Sequence, residues 1–547
     1  MHSFNLDYSL LDVPMPAGVG HWTVRHAVEG VQIFGGIGSG KTSGSGRALA
    51  LKFLQAGFGG LVLTAKLDEK ALWEEYCALT GRTKDLLILE PGGPHHFNFL
   101  AYEATAGAQG LTTNVVQVLK TVIRAAEEQG SGSSDDAFWE NALDMLLVNV
   151  IDLCQMAYGT LSVQDLYDIA QSIPRRPESG YATAEPVWDT DAAFSRAFVT
   201  TRTRVDKQVD AWKLSLRQSL SEEEYETLVH DHLRYQAELA NVSPEAAQLK
   251  RLYAYFLNGF AQLSDKTRSS IEMMLSGFLF HLLREPAYSL LCKGESTVTP
   301  EDSLKGKILL LNLPVKEYQK VGRDCQILFK YIWQRAMEKR NVKTNPRPVF
   351  LWADEAQNFL HEHDAVYQAT ARSSRIATVY ISQNLPNYYA CMGGEKAHYR
   401  VKSFLGTLNT KFFHTNADIE TNRYASELIG QEYADKYTDN RQMGPTYGES
   451  VSHSLELMSQ VRPEHFARLK TGGEKNGGKV ECYMVWQGDG FIPDRNHLKV
   501  VFTQQLASPD KPVSSLFSPN FFLTHFTYGE RPGKTGNSEA FCAASEE

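Results

Sequence analysis

Long hydrophobic runs are missing from this chain. No window holds eighteen uninterrupted apolar residues, and the best stretches, 142–158 and 273–292, are broken by Asp144, Asn149 and Asp152 and by His281, Arg284 and Glu285. They read as core helices rather than membrane spans. The opening MHSFNLDYSLLDVPMP has no basic region leading into an apolar run, so no signal peptide is expected. Cysteine is sparse and unpaired: the seven residues Cys77, Cys154, Cys292, Cys325, Cys391, Cys482 and Cys542 include no C-x-x-C. That speaks against a zinc or disulfide framework and suggests a reducing cytoplasm. Positive charge is also in deficit, with a net charge of −9, which excludes a generally basic nucleic-acid coat but not a basic channel on one surface. There is no internal repeat, no G-x-S-x-G and no H-x-x-x-H. The pair His361 and His363 points apart on a helix, so metal-hydrolase and serine-hydrolase chemistry have no footing.

What is present is a soluble globular composition, 43% apolar and 22% charged over 547 residues, with length for several domains. Its organising stretch is Phe34-Gly35-Gly36-Ile37-Gly38-Ser39-Gly40-Lys41-Thr42. It satisfies G-x-x-x-x-G-K-S/T, between an apolar run (31–34) suited to a buried strand and a helical pattern (47–55). Glycines let backbone N–H groups turn inward on phosphates, and a helix N-terminus adds the positive end of a dipole. Gly35, Gly36, Gly38, Ser39, Gly40, Lys41, Thr42 and Ser43 are therefore the expected nucleotide cradle. Lys41 would reach the β- and γ-phosphates and the Thr42 hydroxyl would ligate Mg2+. ATP and Mg2+ are the implied cofactors.

Strand and helix signals alternate on either side of a long helical stretch. Apolar runs at 61–65 and 86–89 flank a polar helix, which predicts a parallel sheet with right-handed crossovers. From about 110 to 300 the periodicity is helical, far beyond the dozen or so residues a crossover needs, and an inserted all-α domain is expected. Strands resume at 307–313 and, after a Lys/Arg-containing helix (324–340), at 348–353. The latter ends in Asp354-Glu355, as a Walker B strand does, with Asp354 in the Mg2+ shell and Glu355 polarising the attacking water. The strand 377–383 ends on Gln383, an amide able to bond the γ-phosphate or attacking water. A strand follows at 410–415, and 480–486 reads as the last one. The expected fold is α/β: a RecA-like P-loop NTPase core with a parallel central sheet plus an inserted all-α domain. The expected division is a lead-in (1–30), a motor domain (31–109 and 301–500), the all-α insertion (110–300) and a C-terminal tail (501–547). Gly533-Lys534-Thr535 in the tail lacks the opening glycine and context of a second phosphate loop.

Gly35–Thr42, Lys66, Asp354-Glu355, Gln383, Asn98 in Phe97-Asn98-Phe99-Leu100, Phe138-Trp139-Glu140 and Ala417-Asp418-Ile419-Glu420-Thr421 together resemble the coupling ATPases of type IV secretion and conjugation. These TraG/TraD-like proteins fall within the FtsK–HerA superfamily of ring-shaped DNA pumps. The resemblance covers about residues 30–490 and implies a homo-hexamer with the helical insertion at its cytoplasmic mouth. It makes Gln383 the sensor and offers Arg372 or Arg375 as a finger reaching a neighbouring subunit's γ-phosphate. Two departures stand out. The family usually begins with transmembrane helices, so attachment here would need a partner or the protein would work without a membrane. Its strand-two signature usually has Asp before the Lys, where this chain has Ala65-Lys66.

Three readings follow. The first is an ATP-driven, hexameric DNA translocase, gripping single- or double-stranded DNA through cations and stacking rings at Tyr388, Tyr389, Lys396, Arg400 and Lys402. Its partner would be a relaxase or a membrane-anchor protein, and its place the cytoplasm, with recruitment to the inner membrane. The second is a soluble translocase or helicase in antiphage defence or repair, working with a nuclease partner. The third is an ATP-dependent switch or docking adaptor, motivated by the acidic net charge.

Overall fold

The computed structural model describes residues 4–15, 18–105, 111–128, 137–175, 189–361, 363–392, 397–442, 448–488 and 495–504. The loop at 129–134, most of 180–193 and the tail from 505, with Gly533-Lys534-Thr535, lie outside the described residues. In chain order the strands are β1 (Ser9–Met15), β2 (Gly18–Thr23), β3 (Val31–Phe34), β4 (Gly59–Leu63), β5 (Leu86–Leu89), β6 (Ile308–Leu311) and β7 (Val349–Ala353). They continue with β8 (Ile376–Ser382), β9 (Thr410–His414), β10 (Gln431–Gln442), β11 (Gly448–Ser459), β12 (Lys479–Val485) and β13 (His497–Thr503). The chain forms two compact units, Met1–Gly57 with Ala371–Tyr388 and Ser403–Glu547, and Phe58–Thr370 with Tyr389–Lys402.

In the first unit β3 lies between β8 and β9, parallel to both, with Val31 opposite Val379 on one side and Thr410 on the other. All three are buried along their length. That is why they read as continuous apolar runs instead of alternating ones. β12 joins β9 antiparallel, and β13 joins β12. A strand therefore follows 480–486, which is not the last. β13 escaped notice because HLKVVFT follows a loop and falls where the tail was expected to begin. The lead-in is also structured: β1 and β2 pair antiparallel, bury Leu11, Val13 and Trp22, and pin the Trp22 indole N–H on Thr410 Oγ1 at 3.1 Å.

β10 and β11 form a separate two-stranded ribbon of twelve facing pairs. Gln431 to Lys436 and His453 to Leu457 bury nothing fully, and Tyr433 faces Leu457, with Leu455 two residues along on the same side. Over these described side chains the mixed polar sequence gives no buried face, hence no alternation to read.

In the second unit β7, β4, β6 and β5 lie side by side, all parallel. The described elements from Phe99 to Lys305 are helical, among them Leu111–Glu128, Ala137–Tyr158, Ala193–Ser219 and Asp265–Leu282. The helix Leu111–Glu128 buries Val115, Val118, Leu119 and Val122, one stripe at helical spacing, and packs on the helix Val315–Lys339. Among the described residues no single helix is long and apolar enough to cross a membrane.

Helix Val315–Lys339 begins nine residues before the expected 324 and carries polar groups inward. Lys330 and Asp364 are both fully buried and paired at 2.7 Å. Lys330 Nζ also donates to the Phe359 carbonyl at 2.6 Å, and Gln334 Nε2 donates to Asp364 at 3.0 Å. The His361 backbone N–H donates to Asp364 at 2.9 Å. This satisfied network ties the segment after β7 to the helix. Burial, reinforced by Lys330 and opposed by Asp364, lowers the His361 imidazole from 6.5 to about 3.

Replacing Lys330 with Met leaves Asp364 buried without a cation, and the expected loss is about 3–5 kcal/mol of unfolding free energy, read by chemical denaturation. The double variant Lys330→Met/Asp364→Leu should regain most of it. For His361 the folded value lies below the unfolded one. Its contribution is complete above pH 6.5 and lost as pH falls from there toward 3. The urea midpoint of the wild type should drop between pH 7 and pH 5 more steeply than that of His361→Gln.

Candidate nucleotide site

The phosphate loop leaves β3 directly. The Gly36 N–H donates to the Thr415 carbonyl at 2.8 Å, and the Ser39 N–H donates to the Gly36 carbonyl at 3.2 Å, which closes the turn. Gly38 and Gly40 take φ of 71° and 81°, the left-handed region that a side chain enters only at a cost. Ile37 stands exposed at the crest while Ser39 and Lys41 are buried. After Lys41 the chain makes a π turn, Thr42–Gly46, before the helix Arg47–Gln55. Ser39 Oγ is buried with no hydrogen-bond partner. An inward-turned, glycine-rich loop, an orphaned hydroxyl, a buried lysine and a helix start fit the phosphates of a nucleotide. Thr42 is half-buried beside them and Ser43 is exposed, its hydroxyl accepting from Gln504 Nε2 at 2.5 Å.

Gln383 sits immediately beyond β8, its carbonyl accepting from Asn416 Nδ2 at 2.7 Å. The turn at 415–416 thus holds both Gly36 and Gln383. Arg372 is exposed and paired with Glu29 at 3.3 Å. Arg375 takes a left-handed φ of 52° and donates to the Phe4 carbonyl at 3.0 Å. Of the two candidate fingers, Arg372 is the one directed to solvent.

In the second unit β7 delivers Asp354 and Glu355, both buried. Glu355 has φ of 51°, a conformation that non-glycine residues seldom adopt and that recurs at functional sites. Its N–H donates to Asp354 Oδ1 at 2.9 Å, and Gln357 Nε2 donates to Glu355 Oε2 at 2.8 Å. Lys66 reaches both acids, at 2.8 Å to Asp354 and 3.5 Å to Glu355. Burial alone would lower its ammonium, but Asp354, then Glu355 and Glu69, carry it up to about 12. Glu69 Oε2 accepts from the N–H groups of Ala65 and Lys66 at 2.7 and 3.3 Å. Burial and the nearby Asp354 push the Glu69 carboxyl well above the ordinary range, against the pull of Lys66. As a hard-cation ligand on a strand end, Asp354 has the chemistry to join a Mg2+ shell.

The DNA candidates separate. Tyr388 is fully buried and its hydroxyl donates to Gln32 Oε1 at 2.9 Å. It belongs to the core, which corrects its assignment to a gripping surface. Tyr389 is half-buried, its ring 4.0 Å from that of His398. Arg400 and Lys402 are exposed on the helix Ala397–Gly406, and Lys396 lies outside the described residues. The exposed Tyr399 on the same helix was passed over. So were Glu69, Gln357 and the buried His414, none of which lies in a motif.

The resemblance holds in two comparisons. Residues 348–470 match the family model described as the TraM recognition site of TraD and TraG. The fold is similar to that of the bacterial conjugative coupling protein TrwBdeltaN70, with TM-score 0.54 and 13% identity, over 92% of this chain and 90% of that one. It is likewise similar to the plasmid coupling protein TrwB with a non-hydrolysable GTP analogue (TM-score 0.56, 13%, 93% and 92%). A third match is TrwB with ADP and Mg2+ (0.54, 13%, 93% and 91%). No curated protein matches the sequence. Over residues 348–470 the chain is thus similar to TraD and TraG, and its fold has the expected α/β core, similar to that of TrwB.

Lys66→Met should remove a charged hydrogen bond and destabilise the protein by about 1.5–3 kcal/mol. In thermal melts millimolar Mg2+ without nucleotide should restore part of that loss, since Asp354 and Glu355 are left without their cation. The wild-type midpoint should move less.

Proposed function

We propose that the chain is an ATP-hydrolysing DNA translocase of the conjugative coupling type, working as a homo-hexameric ring. The observation that carries this reading is the carboxylate cluster at the end of β7, with Glu355 held by Gln357 and Asp354 paired to Lys66. A nucleotide-binding adaptor would need the phosphate loop but not a poised second acid. On this reading residues 31–109 and 301–500 are the motor and 110–300 the inserted all-α domain. Lys41 neutralises the β- and γ-phosphates, and Thr42 and Asp354 hold Mg2+. Glu355 polarises water, Gln383 senses the γ-phosphate, and Arg372 reaches the neighbouring copy. Arg400 and Lys402, with Tyr389 and Tyr399, face DNA.

Support for a receptor role comes from the segment 348–470, whose family model is named for TraM recognition. It contains the ribbon with exposed Tyr433, Leu455 and Leu457, a surface of the sort that meets a protein partner. A relaxosome protein docked there would bring the substrate. The place of action is the cytoplasm, with recruitment to the inner membrane through a partner.

The test is steady-state ATP hydrolysis with and without single- and double-stranded DNA, alongside mass by light scattering. DNA should stimulate turnover in a hexamer-sized species, with specific activity rising as rings assemble. Glu355→Gln should lower turnover about 10²–10⁴-fold while ATP binding persists. A DNA-indifferent monomer whose Glu355→Gln variant keeps its biological effect would point to an adaptor and sink the motor reading.

A further inference from the structure

His414 ends β9 and is 1% exposed. Its Nε2 lies 2.7 Å from Ser45 Oγ, and Ser45 Oγ lies 3.4 Å from the Lys41 carbonyl. That carbonyl also accepts from the Gly46 N–H at 2.9 Å, five residues on, which is the bond that makes the Thr42–Gly46 turn a π turn. The loop rests on the same histidine: a Cβ at Gly35 would come within 2.8 Å of His414 Cβ.

The proton inventory fixes the direction of this chain of bonds. His414 Nδ1 is buried with no hydrogen-bond partner among the described residues. If Ser45 gave its one proton to the imidazole, Nδ1 would have to carry a buried N–H with no acceptor, the rarer and costlier orphan. If His414 donates from Nε2 instead, Ser45 passes its proton to the Lys41 carbonyl and Nδ1 is a bare lone pair. The relay therefore runs from His414 Nε2–H to Ser45 Oγ, and from Ser45 Oγ–H to the Lys41 carbonyl. Burial and the nearby Lys41 lower the imidazole to about 3, so it stays neutral across the working range and adds no charge beneath the phosphates.

We infer that His414 is a positioning residue for nucleotide binding. It acts through Ser45 to hold the Lys41 carbonyl in the π turn, and so sets the direction in which Lys41 and Thr42 are presented. π turns inside helices recur at functional sites, where one extra residue re-aims side chains. The inference rests on the reading that the chain binds ATP, and it adds a residue that touches neither nucleotide nor metal. His414→Gln keeps a side-chain N–H donor for Ser45, whereas His414→Leu keeps bulk without the bond. Ser45→Ala removes the middle of the relay while leaving the buried ring in place.

The test titrates the full chain with a non-hydrolysable ATP analogue and Mg2+, then measures KM and kcat for ATP, with thermal midpoints recorded for each variant. His414→Leu and Ser45→Ala should raise Kd and KM about 3- to 10-fold with a smaller change in kcat, and His414→Gln should restore most of the affinity. Both sets of profiles should be parallel between pH 6 and 9, because His414 does not titrate there. A wild type that binds no nucleotide overturns the ATP reading and this inference with it. A wild type that binds, with Ser45→Ala binding equally well at an unchanged midpoint, overturns this inference alone. So does a His414→Gln no better than His414→Leu.

Discussion

Position 35 has no room for a side chain. A Cβ there would lie 2.4 Å from Ser39 Oγ and 2.8 Å from His414 Cβ, far inside contact distance. The loop must therefore fold back on itself and lie flat on the end of β9, and much of the first unit answers to that demand. β9 has to end in a residue that can be buried whole beneath a loop. The following turn has to present the Thr415 carbonyl to Gly36 and Asn416 to Gln383. The helix after the loop has to start with small residues, because Gly40 and Gly44 both face Val480 of β12. An antiparallel strand added beside a parallel sheet is thus part of the wall against which the phosphate loop is packed.

The second unit is arranged around a different constraint, the cost of gathering carboxylates out of water. Asp354 and Glu355 share one ammonium at Lys66, and isolated burial of either would be several kcal/mol unfavourable. Two further devices spread the charge. Backbone N–H groups of Ala65 and Lys66 serve Glu69, and the N–H of Glu355 serves Asp354. The Lys330–Asp364 network fixes the Phe359 carbonyl and the His361 N–H a few residues on. Ahead of those two anchored points Glu355 keeps its left-handed backbone, so a conformation that is locally unfavourable persists because its surroundings determine it.

The sequence made the nucleotide-binding framework legible because its chemistry is contiguous. The loop Gly35–Thr42, the run ending at Asp354-Glu355 and the strand ending at Gln383 each carry strand context and function within ten residues, and each stands where it was expected. Long amphipathic helices such as Leu111–Glu128 were legible for the same reason. What escaped was non-local or two-sided. Glu69 lies three residues from Lys66, but only the fold shows that its carboxyl is buried and accepts from the N–H groups of Ala65 and Lys66. His414 looked like the last residue of an apolar strand, and only the register of β9 beside β3 brings it under the loop. The described side chains of the β10 and β11 ribbon form no buried face to generate a pattern. Tyr388 misled in the opposite way: a tyrosine pair beyond the sensor strand suggests a stacking platform. Yet helical geometry turns consecutive residues to different sides, and Tyr388 goes inward to Gln32.

That same helical turn gives the second unit a mechanical property. Cys391 Sγ donates to the Gln357 carbonyl at 2.6 Å, and Gln357 Nε2 donates to Glu355. Tyr389, two residues before Cys391, stacks on His398 at the start of the helix that exposes Tyr399, Arg400 and Lys402. The exposed cationic face and the buried acid are therefore joined by a short run of specific contacts. Gln357 is thus held at its backbone carbonyl by Cys391 while its side-chain amide orients Glu355, and each bond depends on alignment. Tyr399, Arg400 and Lys402 and the acid at the end of β7 belong to the same compact unit.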